Sequence, residues 1–575
     1  MGTGLLLFVA ALLARLLFWQ ATADAGWPYS AYYRGDAMTW LSYADALRQG
    51  IPFQDGLPLR PPGAAYLVAA VWDGSPGGIG VLNFLWCVLG ALVVSVYAIV
   101  LQRSFGGSVA AGAGLAAAGS TGLMMLSTSL NNETPYLILV MAGFLSLEGI
   151  RRRPEPGRLA AWCVLNGLAC LVRVEHAVFF ALVLITLASG WRRSPGGGWI
   201  RAAGGTALAL LFFLAPLVPW QIHAWKSIRA FNATLRPSDE GLTVEAREAE
   251  RWIEGMAWSP DAVAERDRLP GFTRRLAGDF VAATVRHRGG TAVTAPDFAI
   301  LEEAFGYRPE PLAPLPFITS YGPLNFYLAN NSAADAGFSR RGLDRPPPLT
   351  GGRQRYYKDL LLDPPAPGTF FFDWPVHLEA FNHGIGLGWR WIAGHPDAFV
   401  RRVMEKLAIF WDGASLGFTG YNIPGGLTGT QRAVDLLVPR GGPIVLLWRV
   451  LLLGAVAAGI AASWRDERAR PWLLFLVSKA AVAALFFGYA RIGATALPAV
   501  YLMAALALRT WAGRARPAGR PPGGIRPAAV AAGILLLVET VRFVSHPVVT
   551  IDSERVISRD PFPAQVHRDR RIEVR

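Results

Sequence analysis

The chain is poor in cysteine, in charge and in acid. It has three cysteines in 575 residues, only 17% of its residues are charged, and lysine plus arginine outnumber aspartate plus glutamate by 55 to 41. Cys87, Cys163 and Cys170 fall inside apolar runs, no pair has metal-ligand spacing, and the odd number argues against a disulfide framework. Buried packing is the expectation for all three. So little charge, with 53% hydrophobic residues and a mean hydropathy of +0.32, argues against a soluble domain and predicts a polytopic membrane protein. The basic excess of +14 does not read as nucleic-acid binding, because no basic patch is interleaved with exposed aromatics. In a membrane protein such an excess sits in cytoplasmic loops. The first residues, Met-Gly-Thr-Gly, lack a basic n-region and an evident cleavage site, so an uncleaved first span is expected. No internal repeat is visible, and the one biased tract is a Pro/Gly/Arg-rich linker at 512–526.

A helix needs about 20 apolar residues to cross the hydrocarbon core. Eleven runs qualify as candidates: 4–22, 79–102, 107–127, 134–150, 158–173, 176–191, 202–222, 443–463, 471–488, 493–510 and 527–545. Simple alternation of these spans puts Arg103, Arg151 to Arg153, Arg158, Arg192, Arg193, Arg201, Arg465, Arg468, Arg470, Arg514, Arg516, Arg520 and Arg526 on one side. The positive-inside rule makes that side cytoplasmic. The expected fold is an all-α polytopic bundle with interfacial helices and a mixed extracytoplasmic domain. Its parts are an N-terminal bundle (1–222) with a first outer loop (23–78), an outer domain (223–442), C-terminal spans (443–545) and an outer tail (546–575). Helical patches are expected near 240–256, 272–287 and 396–411. A multi-pass protein of a bacterial plasma membrane, with its working face outside the cytoplasm, is the localisation this implies.

The stretch from Tyr33 to Tyr66 follows the first span directly. Asp36 stands where a helix should begin, Ala37, Trp40, Leu41, Ala44 and Leu47 share one face, and Gly50 and Pro52 stop it. Such a helix lies flat at the membrane interface. It would hold Asp36 and Arg60 at the surface, although Asp36 also suits a plain N-cap. The same topology collects Asn131, Asn132, Glu133, Arg173, Glu175, His176, Tyr489 and Arg491 at the outer face. Carboxylates and arginines gathered there suit a reaction on a phosphorylated lipid: a carboxylate takes a proton from a hydroxyl, and guanidinium groups clamp the phosphate. For Arg173, Glu175 and His176 the expectation is a solvated turn. Arg15 and Lys479 lie inside spans, where snorkelling or an interhelical pair is expected. His377, His383 and His395, near Asp373 and Glu379, match no metal motif, so no metal and no cofactor are assigned.

These landmarks, taken in order, resemble the GT-C superfamily of integral-membrane glycosyltransferases. The closer branch contains the dolichyl-phosphate-mannose protein mannosyltransferases and the lipid A aminoarabinose transferases. The resemblance rests on Gly35-Asp36 through Gly50, Arg60-Pro61-Pro62-Gly63, Asn132-Glu133, Gly167-Leu168-Ala169 with Arg173, and Pro219-Trp220. It continues in the segment from Ser320 to Tyr327 with Asn330, in His395-Pro396 before Lys406 and Phe410-Trp411, and in Tyr489, Arg491 and Pro498. It implies that Asp36 is the catalytic carboxylate and Glu133 a second acidic site residue. Arg60, Arg491 and, as a weaker match, Lys406 would bind the donor phosphate. The chain departs from the pattern at Ala37, where many relatives have Glu, and at Leu59, where an acidic residue is common. The expected activity is inverting transfer of a sugar from a polyprenyl-phosphate donor to an acceptor hydroxyl of a lipid, glycan or protein. A transporter of lipid-linked glycans and a non-catalytic envelope-assembly protein are the alternatives.

Overall fold

The computed structural model describes residues 2–21, 36–53, 57–128, 130–153, 155–193, 198–234, 252–253, 256–269, 288–299, 312–313, 316–337, 375–416 and 443–514, with scattered residues between 274 and 301. The expected span 527–545, the tail 546–575 and the side chain of Asp36 lie outside the described residues. Of the described residues, 81% are helical.

In chain order the helices are α1 (Gly2–Ala21), α2 (Asp36–Gln49), α3 (Gly63–Val71), α4 (Pro76–Phe105), α5 (Gly107–Ala118), α6 (Thr121–Ser127), α7 (Glu133–Arg152), α8 (Pro156–Val172), α9 (His176–Arg193), α10 (Trp199–Leu214) and α11 (Val218–Thr234). They continue with α12 (Pro260–Arg268), α13 (Tyr321–Ala329), α14 (Pro375–Gly394), α15 (Pro396–Leu416), α16 (Pro443–Ser463), α17 (Arg470–Leu485), α18 (Ala490–Thr495) and α19 (Leu497–Arg514). Among the described residues three helices, α1, α4 and α7, are long and apolar enough to cross a membrane, or five spans if two bent pairs each count as one. The expected spans 107–127 and 202–222 are bent pairs: α5 and α6 meet at 60°, as do α10 and α11. The first bend has a local cause. Ser120 leaves helical geometry and its hydroxyl accepts from the Leu123 amide, so a new helix starts there. Pro216 stands at the second bend.

The one sheet described is small: β1 (Trp252–Ile253) pairs antiparallel with β2 (Met256–Trp258), which pairs parallel with β3 (Ala292–Val293). It replaces the end of the helix expected at 240–256. It shares an apolar cluster with α12, including Met256, Trp258, Val263, Val281 and Phe298. By contrast α15, which covers the helical patch expected at 396–411, packs on α16, α17 and α18. Its fit against α18 needs glycine, because a Cβ on Gly413 would lie 1.9 Å from the Ala490 carbonyl oxygen.

Side chains at the ends of α4, α7, α17 and α19 define one pole of the bundle. Arg152 donates to the Arg103 carbonyl at 2.6 Å, Arg468 to that of Ser104 at 3.1 Å and Arg509 to that of Phe105 at 2.7 Å. Arg158 donates to the Gly149 carbonyl at 2.8 Å. α7 is 20 residues long, so its first residue, Glu133, stands about 30 Å from this pole.

Candidate functional site

Two apolar clusters bring the candidate segments to the Glu133 pole. The first joins Ala37, Trp40, Leu41 and Ala44 of α2 to Ala64, Ala65 and Val68 of α3, to Leu82 and Trp86 of α4, and to Leu130 just before α7. Asp36 is the first residue of α2 and Gly50 follows its last turn, as the sequence pattern requires. The second cluster joins Leu57 and Leu59, beside Arg60, to Leu324 and Tyr327 of α13, to Phe381 of α14, and to Phe487 in the segment before Arg491. The Arg60 guanidinium lies over the Trp40 ring at 5.7 Å. Just beyond Arg60-Pro61-Pro62, a Cβ on Gly63 would lie 2.7 Å from Val172 Cγ2 and 2.9 Å from the Leu171 carbonyl oxygen. The chain after Arg60 therefore abuts the residue that precedes Arg173, an approach that only a glycine permits.

Glu133 is set by its helix start. The amides of Glu133 and Thr134, which open α7, donate to Asn131 Oδ1 at 3.0 and 3.1 Å, and Asn131 Nδ2 donates to the Leu126 carbonyl at 2.6 Å. Trp86 Nε1 fastens the same loop by donating to the Asn131 carbonyl at 3.0 Å. A carboxylate at this end also meets the positive pole of the helix dipole. Glu133 is buried, and its Oε1 receives Arg173 Nη1 together with Arg491 Nε, the latter at 3.8 Å. Its Oε2 is buried and meets no donor among the described residues.

Arg173 bridges to a second carboxylate: its Nε donates to Glu175 Oε1, which Lys479 Nζ approaches at 3.5 Å. Lys479 Nζ also lies 4.3 Å above the Tyr136 ring. Tyr136, one turn after Glu133, belongs to a buried chain of hydrogen bonds. Asn166 Nδ2 donates to the Trp162 carbonyl, which leaves Asn166 Oδ1 to accept from His176 Nε2 at 2.8 Å. The other imidazole nitrogen then accepts from the Tyr136 hydroxyl at 2.9 Å, so this geometry describes a neutral histidine.

The expectation of a solvated turn for Arg173, Glu175 and His176 is thus overturned. The turn folds inward because Glu133 and Lys479 supply opposite charges there. Burial alone would raise the Glu175 carboxyl, but Arg173 and Lys479 outweigh it and hold the group at about 2. Lys479 is neither snorkelling nor paired to another helix: its ammonium pairs with Glu175 in the turn between α8 and α9. Arg15 donates to Ser127 Oγ at 3.1 Å and to the Ala11 carbonyl at 3.0 Å, so its guanidinium is spent inside the bundle.

The candidate residues are not all equivalent. Arg491 meets Glu133 directly, and its guanidinium stands 5.4 Å over the Tyr489 ring. Lys406 is fully buried on α15, and its ammonium donates to the carbonyls of Ala329 and Ala484 at 3.1 and 3.4 Å and to Asn330 Oδ1 at 3.3 Å. Three acceptors match its three protons. Burial, with Arg402 nearby, lowers its pKa to about 7. Lys406 therefore ties α15 to the Asn330 segment and to the end of α17. A Cβ on Gly488 would lie 2.7 Å from Lys406 Cα, so the same contact seats the segment leading into α18 and Arg491. His395 Nδ1 bonds the Trp391 carbonyl at 3.0 Å, whereas the side chains of His377, Asp373 and Glu379 lie outside the described residues. Among the described residues no group of three His, Cys, Asp or Glu side chains is arranged to hold a metal ion.

The residues that sequence reasoning undervalued are Arg173, Glu175 and Tyr136. One signal was available: Lys479 stands inside an apolar run and calls for a carboxylate, and Glu175 lies at the end of one. No family model matches the chain, and neither a curated protein nor a solved structure does.

Proposed function

We propose that the protein is an inverting glycosyltransferase of the membrane, which moves a sugar from a polyprenyl-phosphate donor to an acceptor hydroxyl at the extracytoplasmic face. The observation that carries this reading is the buried constellation of Glu133, Arg173 and Arg491 at the pole opposite the arginine-capped helix ends. In this reading eleven spans alternate across a plasma membrane, residues 223–442 form the outer domain, and the arginine-capped pole faces the cytoplasm.

Each residue then has a chemical task. Arg60 and Arg491 hold the donor phosphate and offset the charge that grows on it as the sugar–oxygen bond breaks. Asp36 accepts the proton of the acceptor hydroxyl as its oxygen attacks the anomeric carbon from the opposite face. Glu133 orients a substrate hydroxyl near those groups. Lys406 positions the segment leading into α18 and Arg491 through its contact with Gly488 rather than touching phosphate itself. The lipid tail stays in the bilayer, and the reaction needs no soluble cofactor.

Purified protein in vesicles made with an extract of its own membranes, which carries candidate acceptor hydroxyls, tests the proposal when given a labelled polyprenyl-phosphate sugar. Consumption of the donor, with release of polyprenyl phosphate, is expected. Passage of intact donor across the vesicle without consumption would replace the enzyme by a transporter, and no change in donor would count against both.

A further inference from the structure

The corner between α9 and α10 carries charge and apolar surface that the proposed reaction does not use. α9 starts at His176, which bonds Tyr136 one turn from Glu133, and runs for 18 residues to Arg193. Its far end therefore lies about 27 Å away, at the arginine-capped pole. Three arginines stand at the corner: Arg192 and Arg193 in the last turn of α9, and Arg201 in the first turn of α10. All three are exposed, and among the described residues none forms an ion pair or donates a side-chain hydrogen bond. The sequence supplies no local partner either, since no aspartate or glutamate occurs between Glu175 and Asp239. Arg201 stands at the positive end of α10, where a cation opposes the helix dipole, so helix capping does not account for it.

Large apolar side chains project at the same place. Trp199 is 73% exposed and Ile200 91%. The Arg192 guanidinium lies 4.3 Å over the Trp199 ring, a contact that joins the two helix ends into one surface. Ile200 also opens a stripe of exposed side chains on α10 that continues through Ala203, Ala207, Leu211 and Leu214. Steps of three and four residues keep these on one face, and none of them is charged. α10 and α11 together are apolar and long enough for one bent membrane span. Arginine and tryptophan at the end of such a face sit at the depth of lipid headgroups.

We propose that this corner binds an anionic phospholipid of the leaflet at the arginine-capped pole. Arg192, Arg193 and Arg201 meet its phosphate, which guanidinium groups match in two-point geometry. Trp199 lies at the level of the ester groups, and Ile200 with the stripe beyond it meets the acyl chains. A soluble anionic partner would satisfy the arginines but leave the stripe from Ile200 to Leu214 bare. A zwitterionic lipid would cover the stripe but bring its own cation to the arginines. An anionic lipid does both. The site is separate from the Glu133 pole and does not depend on the transferase reading.

Lipid binding by the purified full-length protein in neutral detergent tests this, with bound ligand counted by native mass spectrometry. The titrants are phosphatidylglycerol, phosphatidylcholine as the zwitterionic control, and glycerol 3-phosphate as the control without acyl chains. Wild type should bind phosphatidylglycerol at least tenfold more tightly than either control. An arginine near an anionic lipid surface is worth roughly fivefold in binding. The triple variant R192Q/R193Q/R201Q should therefore lose at least tenfold in phosphatidylglycerol affinity and keep its phosphatidylcholine affinity. A charge-matched variant of other exposed arginines of the pole, R103Q/R153Q/R465Q, should stay within about threefold of wild type. Where the first triple variant does not accumulate in membranes, Arg193→Gln and Arg201→Gln repeat the test singly, with about fivefold expected from each. Equal losses in the two triple variants overturn the corner and leave only the diffuse charge of the pole. Phosphatidylglycerol bound no more tightly than phosphatidylcholine, or glycerol 3-phosphate bound as tightly as the lipid, overturns the lipid site itself.

Discussion

The two poles of the bundle spend their arginines differently. At one, Arg152, Arg468 and Arg509 donate to main-chain carbonyls at the end of α4, and Arg152 also pairs with Glu148 while half exposed. Those carbonyls have no partner inside their own helix, and cations near a helix C-terminus suit its dipole. Water can stand in for the Arg152 contact, which lies at the surface. At the other pole Arg173, Arg491 and Lys479 face carboxylates that are nearly or wholly covered. Water has little access there, and one carboxylate oxygen is left without a donor among the described residues. The contrast separates arginines that finish helices from arginines that form a site.

The contrast can be broken most sharply at Glu175. Replacing it with alanine leaves Arg173 and Lys479 without the carboxylate they share. A loss of about 3–5 kcal/mol is expected, as for other broken buried pairs, read as a fall in unfolding temperature in detergent. The same group gives a pH signature. Its folded pKa of about 2 lies below the ordinary 4.5. Its contribution is complete above the unfolded value and is lost as the pH falls from there toward the folded one. Lys406 works at the alkaline end. Its folded pKa of about 7 lies below 10.5, so the unfolded chain holds the extra proton between those values. Stability should therefore rise with pH across that window, and Lys406→Met should flatten the rise in a series of thermal melts.

Gly63→Ala tests the approach of the Arg60 segment to α8, since its new Cβ would meet the Leu171 carbonyl at 2.9 Å. About 1–3 kcal/mol of destabilisation is expected, together with weaker binding of a lipid phosphate. The smallest effect belongs to the other pole. Arg152→Gln loses an ion pair whose arginine is 52% exposed, and the change expected is about 0–1 kcal/mol. A loss as large as that of Glu175→Ala would erase the distinction between the poles.

Much of the fold follows from local pattern. The amphipathic helix that begins at Asp36 and ends before Gly50, the acidic start of α7 at Glu133, and the apolar runs of α1, α4 and α7 all depend on residues within a turn or two of each other. The bends of α5–α6 and α10–α11 are not visible in hydropathy, which averages across a capping serine or a proline without registering a change of direction. The site was legible in its members but not in its pairing. Arg173 meets Glu133 across 40 residues of sequence, and Lys479 meets Glu175 across 304. A turn of the form Arg-x-Glu looks solvated until those distant partners are known. Lys406 shows the converse: its place in the resemblance suggested phosphate, whereas its three oxygen partners come from elements that sequence order gives no reason to join.

Transfer from a labelled polyprenyl-phosphate sugar, measured side by side for wild type, Asp36→Asn and Arg152→Gln at equal amounts in membranes, tests the central claim most directly. The general base assigned to Asp36 is worth about 10²–10⁴-fold in rate, so Asp36→Asn should lose nearly all turnover while Arg152→Gln stays close to wild type. Near-native transfer by Asp36→Asn, or an equal loss in Arg152→Gln, would contradict a site built at the Glu133 pole around that carboxylate.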